Sequence, residues 1–339
     1  MARELDLPKE ARVADLTLRD GFQNLEQFIP TEAKVYFIEA LVDAGFKELE
    51  VGAFAPPRYQ AQFRDIEEVL KRLPPRDDVV YSYVTTGKRA TERAFKARDA
   101  GLRVDRIVLG ILPGSEKLNK TVLGMDYTET WKWVEETLKT ARARSMKVNA
   151  FLTGIWDPPE PDDNTAPMER ALEFTDRLLE MGVDDIEHPD HTGNATLDKV
   201  FEYFAKVLEK HPDPSRHNCH IHDQGGMGIA CYLAAMMAGI SWFETTLSGL
   251  GGYPAPIVDR VPQAGLFGMV EHGHRPGLVS TEDFVVMLDG MGIKTGLDVD
   301  KVLRLGRMLQ KVVGRQLWAT SISTGPVWRT PPPPKCWLS

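Results

Sequence analysis

Short runs rich in Val, Ile and aromatic residues recur along the chain at 13–18, 49–54, 79–85, 106–111, 148–153, 186–190, 219–223 and 242–247. Each is short enough to be a buried parallel strand, which reads as a near-continuous apolar run. Between them, apolar residues fall at helical spacing, as in Ala33, Phe37, Ala40, Leu41 and Ala44, or Ala171, Phe174, Leu178 and Leu179. Pro30-Thr31-Glu32 carries a helix-start signal, and Ala44-Gly45 and Met181-Gly182 carry stops. Alternating strands and helices imply a parallel sheet with helices outside. About eight such units predict a closed (β/α)₈ TIM barrel of class α/β. An open doubly wound sheet would need a phosphate loop after an early strand, and neither GxGxxG nor GxxxxGK[ST] occurs there.

Two segments break the alternation. Residues 248–280 carry many Gly and Pro and no clear helical pattern, which predicts a long lid-like loop after the eighth strand. The run Thr330-Pro331-Pro332-Pro333-Pro334-Lys335 cannot be helical. The expected organisation is a TIM-barrel catalytic domain over 1–315 and a Pro-rich C-terminal extension over 316–339.

Composition narrows the function classes. A chain of 339 residues with 42% hydrophobic and 27% charged residues suits one large globular domain. The net charge of −8 and the scatter of basic residues among acids argue against a nucleic-acid partner. Cys219, Cys231 and Cys336 form no CxxC pair, which points to a reducing compartment. The N-terminus is charged from Arg3 onward and no apolar run is long enough to cross a bilayer, so the expectation is a soluble cytoplasmic protein.

Barrel chemistry gathers at the C-terminal strand ends. Four polar clusters fall there: Arg19-Asp20-Gly21-Phe22-Gln23-Asn24, Glu50-Val51-Gly52, Glu187-His188-Pro189-Asp190-His191-Thr192-Gly193, and His220-Ile221-His222-Asp223. Residues two apart on a strand share a face, so His220 and His222 both aim into the mouth. Asp20, on a neighbouring strand end, supplies a carboxylate, and the set suits a divalent ion. An isolated HxH is as often a hydrogen-bonded core pair. Arg19 offers a permanent cation for an enolate oxygen, or a structural pair with Glu50. Asp190 is a candidate proton carrier or water-mediated ligand, and His188 shares its face. Gln23, His188, His191 and Gln224 are candidate substrate contacts, with Asn194 beside them.

These strand ends resemble the metal-dependent lyase and aldolase superfamily that includes 3-hydroxy-3-methylglutaryl-CoA lyase. The resemblance also rests on Gly249-Leu250-Gly251-Gly252 and Ser280-Thr281-Glu282-Asp283 and runs from about Val13 to Val312. It implies Mg²⁺ or Mn²⁺, with Zn²⁺ also compatible, held by Asp20, His220 and His222. It further implies cleavage of a 3-hydroxy acyl-CoA or a related hydroxy acid through an enolate that Arg19 stabilises. Homodimers are common among such barrels. Two departures stand out. The family's reactive cysteine after the paired glycines is Tyr253 here, a candidate proton donor. Its ligating asparagine is absent from the stretch Arg275-Pro276-Gly277-Leu278-Val279.

Within the same fold the alternative is a condensing acyltransferase similar to isopropylmalate or citramalate synthases, which often carry a C-terminal regulatory domain that is not expected here. A biotin-linked carboxyltransferase would need a lysine where Pro189 stands. A non-catalytic metal-binding barrel is the reading from another class, and it leaves Arg19, Glu50 and Asp190 without a purpose.

Overall fold

The computed structural model describes residues 6–23, 25, 27–57, 60–159, 165–223, 225–252, 257–258, 261–262 and 277–329. Eight strands close into one parallel barrel in sequence order, with β1 returning to pair with β8. They are β1 (Arg12–Asp15), β2 (Glu48–Ala53), β3 (Val80–Thr85), β4 (Arg106–Ile111), β5 (Lys147–Leu152), β6 (Asp185–Asp190), β7 (His217–Ile221) and β8 (Trp242–Thr245). The helices are α1 (Thr31–Asp43), α2 (Ile66–Leu70), α3 (Lys88–Asp99), α4 (Glu116–Leu123), α5 (Tyr127–Arg142), α6 (Pro167–Met181), α7 (Leu197–Lys210), α8 (Gly228–Met237), α9 (Thr281–Gly290), α10 (Val299–Val313) and α11 (Ser321–Thr324). Their ends follow the local chemistry. Pro167 opens α6 and Gly182 closes it in the left-handed region at φ 94°, while Asp126 and Glu129 form a capping box on α5.

The first strand is shorter than its apolar run suggests. β1 stops at Asp15, and the chain enters a single π-helical turn over Thr17–Gly21. Asp15 imposes that turn by accepting from the Thr17 amide at 2.9 Å and the Thr17 hydroxyl at 3.0 Å. The amides of Arg19, Asp20 and Gly21 then all reach back to the Leu16 carbonyl. Such turns occur often at functional sites, and this one sets Arg19 and Asp20 side by side at the rim.

The barrel interior holds an unusual amount of charge. Arg106 donates to Glu48 at 2.8 Å and lies 3.4 Å from Asp185, while Asn149 donates to Asp185. Arg12 pairs with Glu48 and stacks 3.6 Å over the Trp242 ring, covering this layer. Nearer the mouth come Glu50, Glu187 and Glu244, all buried.

Of the Gly-rich segment after β8, 253–256, 259–260 and 263–276 lie outside the described residues, so the expected lid falls largely outside them. What is described is tied down. Glu282 on α9 accepts from the Ser248 amide at 2.6 Å, and Asp283 accepts from the amides of Thr320 and Ser321 at 3.0 and 2.7 Å. The chain from Leu317 to α11 is thereby fastened to the barrel. The Pro-rich run from Thr330 onward lies outside the described residues, and no described helix is long and apolar enough to cross a membrane.

Candidate metal and active site

Asp20 is completely buried and its two oxygens have different surroundings. Oδ1 accepts from Arg19 Nη1 at 2.9 Å and from Gln23 Nε2 at 2.7 Å. Oδ2 has no hydrogen-bond partner and lies 3.6 Å from His222 Nε2. A buried carboxylate oxygen without a partner is costly, and a cation is the natural remedy. Gly251 lets the backbone pass close by: a Cβ there would sit 2.5 Å from Asp20 Oδ2, on a backbone with φ 139°. Gln23 also donates to the Gly252 carbonyl at 2.9 Å, joining the π-turn to the glycine pair after β8.

His220 and His222 come from the end of β7, and their rings stack with centroids 5.3 Å apart. His220 Nδ1 lies 2.8 Å from Glu244 Oε2 and 2.9 Å from Glu187 Oε1. Burial opposes a charged imidazole, but hydrogen bonds and charge from Glu187 and Glu244 outweigh it and raise His220 to about 10. Without an ion the ring is therefore protonated on both nitrogens; an ion would take the place of the proton on the unpartnered, buried Nε2, while Glu187 and Glu244 hold the one on Nδ1. His222 has neither ring nitrogen engaged, and burial pushes it down to about 4. A neutral imidazole is the ligand form. An unpaired carboxylate oxygen with such nitrogens is a donor set that fits a divalent cation.

Arg19 stands beside this set. Its Nε pairs with Glu50 and its Nη1 with Asp20, all buried. Burial lowers its affinity for a proton, but Glu50, Asp20 and Glu187 together raise it above the ordinary value, so the guanidinium stays charged. Glu50 is pushed up to about 7 by burial, against the pull of Arg19.

Other expected residues are placed differently. His188 faces away from the mouth: its ring lies between Tyr203 OH on α7 at 2.9 Å and His217 Nδ1 at 3.1 Å, so it is a packing residue behind β6. That corrects its expected place at the mouth. Asp190 shares this outward face. Its Oδ1 accepts from the amides of Thr192 and Gly193 at 3.0 and 3.1 Å, and its Oδ2 from Ala195 at 2.7 Å. Both oxygens are therefore spent on shaping the turn into α7 and do not face the imidazole cluster. Asn194 donates to Asp157, locking that turn to the one after β5. His191, expected only as a substrate contact, stands against the two β7 histidines, with ring centroids 5.1 Å from His220 and 4.9 Å from His222. Asn24, Gln224 and Tyr253 lie outside the described residues.

Sequence reasoning misses Glu244 altogether and gives Glu187 no role. A signal for both exists: β2, β6 and β8 each bring an acidic residue to the barrel's inner face, and unpaired acids inside a barrel call for a cation.

The chain as a whole is similar to known proteins. The family model described as HMGL-like matches residues 10–309. The chain belongs to the HMGL-like family. Mitochondrial hydroxymethylglutaryl-CoA lyase of Bos taurus is 28% identical over 309 residues, covering 91% of this chain and 87% of the relative. Hydroxymethylglutaryl-CoA lyase of Pseudomonas mevalonii is 28% identical over 303 residues, covering 89% and 92%. Among solved structures, an HMG-CoA lyase from Acinetobacter baumannii in complex with coenzyme A and 3-methylmalate superimposes with a TM-score of 0.82 at 24% identity, covering 96% and 98%. The barrel is thus an HMGL-like fold, and the chain is a lyase.

Proposed function

We propose that this lyase cleaves a carbon–carbon bond in a 3-hydroxy acyl-CoA or a closely related hydroxy acid. One observation carries the reading: a guanidinium clamped between Glu50 and Asp20, next to the partnerless Oδ2 of the same Asp20. Asp20, His220 and His222 would hold a divalent ion, Mg²⁺ or Mn²⁺ by the resemblance. When bound, the ion supplies Lewis acidity and a template for the substrate's hydroxyl and carbonyl oxygens. Arg19 meets the negative charge that grows on the enolate oxygen as the bond breaks, and Glu50 keeps its planar head aimed. Glu244 and Glu187 fix the His220 ring. Gln23 orients the Asp20 carboxylate and joins it to the Gly251-Gly252 turn, so its role is positioning. Asp190 positions the β6 turn. Tyr253, where the resemblance expects cysteine, is the proposed proton donor, and Gln224 remains a proposed substrate contact.

The Acinetobacter lyase binds coenzyme A together with 3-methylmalate, a small hydroxy diacid, and that pair supports an acyl-CoA substrate here. The buried free thiols of Cys219 and Cys231 support a reducing compartment, and we place the protein in the cytosol as a homodimer. The test incubates protein loaded in turn with Mg²⁺, Mn²⁺, Co²⁺ or Zn²⁺ with 3-hydroxy-3-methylglutaryl-CoA, other 3-hydroxy acyl-CoAs and free hydroxy diacids, with products followed by mass spectrometry. Cleavage of at least one thioester substrate is expected. A loaded, folded protein inert on the whole panel would return the barrel to the non-catalytic reading. Metal content gives a second check: Asp20→Ala should lower ion affinity by about a hundredfold or more, seen by calorimetry on metal-stripped protein.

A further inference from the structure

The β6 turn brings a third imidazole to the ion's place. We propose that His191 is a fourth protein ligand, so that Asp20, His191, His220 and His222 make a three-imidazole, one-carboxylate set. This deepens the metal reading above and rests on it.

Donor nitrogens of His191, His220 and His222 lie within 4.8 Å of one another, and all three residues are buried. Around an ion with bonds of about 2.0–2.1 Å, neighbouring nitrogens stand about 3 to 4 Å apart. The three nitrogens are therefore near enough for an ion to draw together, and Asp20 Oδ2 adjoins them at 3.6 Å from His222 Nε2. The rings are not parallel: His191 is inclined 41° to His220 and 56° to His222, whereas those two stack at 20°. Two near-parallel rings crossed by a third suit nitrogens converging on one point better than a simple packing stack.

The placement of His191 is built rather than accidental. Asp190, immediately before it, accepts from Thr192, Gly193 and Ala195 amides, which fixes the backbone on both sides of the ring. The Asp190 carbonyl also accepts from the His222 amide at 2.9 Å, so the turn carrying His191 is hydrogen-bonded directly to the residue carrying His222. Gly193 follows with φ 76°, a conformation that a side chain would strain and that turns the chain sharply enough for Asp190 to reach Ala195. This gives the outward-facing Asp190 a purpose at the metal without touching it.

The chemistry of the set has a consequence. Carboxylate and water oxygens suit Mg²⁺, whereas three imidazoles favour the borderline ions Zn²⁺ and Co²⁺. With a divalent ion bound, His191 would supply a nitrogen donor beside those of His220 and His222. The protein should therefore discriminate against Mg²⁺ more strongly than a two-histidine site does.

The experiment uses metal-stripped full-length protein. Zn²⁺, Co²⁺, Mn²⁺ and Mg²⁺ are titrated by calorimetry into the parent, His191→Ala and His191→Leu, and X-ray absorption of the Zn²⁺ and Co²⁺ forms counts imidazoles. Expected are three imidazoles in the parent and two in each variant. Zn²⁺ and Co²⁺ affinity should fall at least tenfold in the variants, while Mg²⁺ affinity changes less than threefold. Two imidazoles in the parent would overturn the proposal, whatever the variants do. Unchanged Zn²⁺ affinity in a folded His191→Ala protein would overturn it as well while leaving the Asp20, His220 and His222 site standing. A parent that takes up none of the four ions would remove both readings together.

Discussion

A guanidinium held by two carboxylates on different elements has little freedom, and Arg19 is held so by Glu50 from β2 and Asp20 from its own π-turn. Lysine carries the same charge on one compact head, which cannot satisfy Nε and Nη positions at once. Arg19→Lys should therefore fold and load metal normally yet lose about a hundredfold to a thousandfold in kcat, the scale of one lost oxyanion donor, with KM moving only a few-fold. Steady-state kinetics on the cleaved thioester decides it, and near-parental kcat would make Arg19 structural. At this scale the sequence was legible where residue type alone dictates chemistry. Arg19, Asp20, His220 and His222 were readable because few residues can bind an ion or stabilise an enolate. Glu244 was not, because a lone acid in an apolar strand carries no sign of the histidine it meets 24 positions away. His188 and His191 exchanged importance for a geometric reason. Period-two counting says that 188 and 190 share a face, but the sequence does not say which face of β6 looks inward.

Elements explain why that face matters. β6 turns His188 outward onto His217 from β7 and Tyr203 from α7, where all three side chains are buried. Burial, together with the neighbouring imidazoles, pushes His217 down to about 4 and His188 well below its ordinary value. The unfolded chain takes up these protons near pH 6.5, whereas the folded one does not until far lower. Fewer protons bound to the native state means that stability rises with pH across this window and is lost as pH falls from about 6.5 toward 4. For His217 the loss should be about 2 kcal/mol between pH 6.5 and 4.5. Urea denaturation of the parent and of His217→Gln at both pH values isolates it, because His222 titrates in both proteins. The variant should show the shallower pH dependence, and equal slopes would mean that His217 is solvated in the native state. The strand positions were largely legible, since β4 occupies the predicted 106–111 and the other strands fall within two residues of their predicted starts. The end of the first was not: Thr17 and Leu18 have strand-like propensity, and only the Asp15–Thr17 hydrogen bonds convert that stretch into the π-turn.

At the scale of the whole molecule, the barrel is a column of charge walled by apolar strands. Its lower layer balances Glu48 and Asp185 against Arg106, with Arg12 and Trp242 closing the end. Its upper layers carry Glu50, Glu187, Glu244 and Asp20 against Arg19 and His220, and the surplus of carboxylates there is what a divalent ion would offset. The two halves therefore have different logic: the lower one is neutralised by the chain's own arginines, and the upper one is left acidic for its ligand. Removing the central cation of the lower layer tests this division. Arg106→Leu leaves two buried carboxylates facing one another, and loss of one partner from a buried network costs about 3–5 kcal/mol. The triple variant Arg106→Leu, Glu48→Leu and Asp185→Leu removes the buried carboxylates together with their central cation and leaves only Arg12, whose side chain is 37% exposed, without its partner, so most of that loss should return. Ion affinity at the upper site should stay within a few-fold of the parent in both variants, since neither change touches Asp20, His220 or His222. Urea denaturation gives the stabilities and calorimetry the affinities. A single variant as stable as the parent would show that Glu48 and Asp185 do not depend on Arg106, and a large loss of ion binding would show that the two layers are one network.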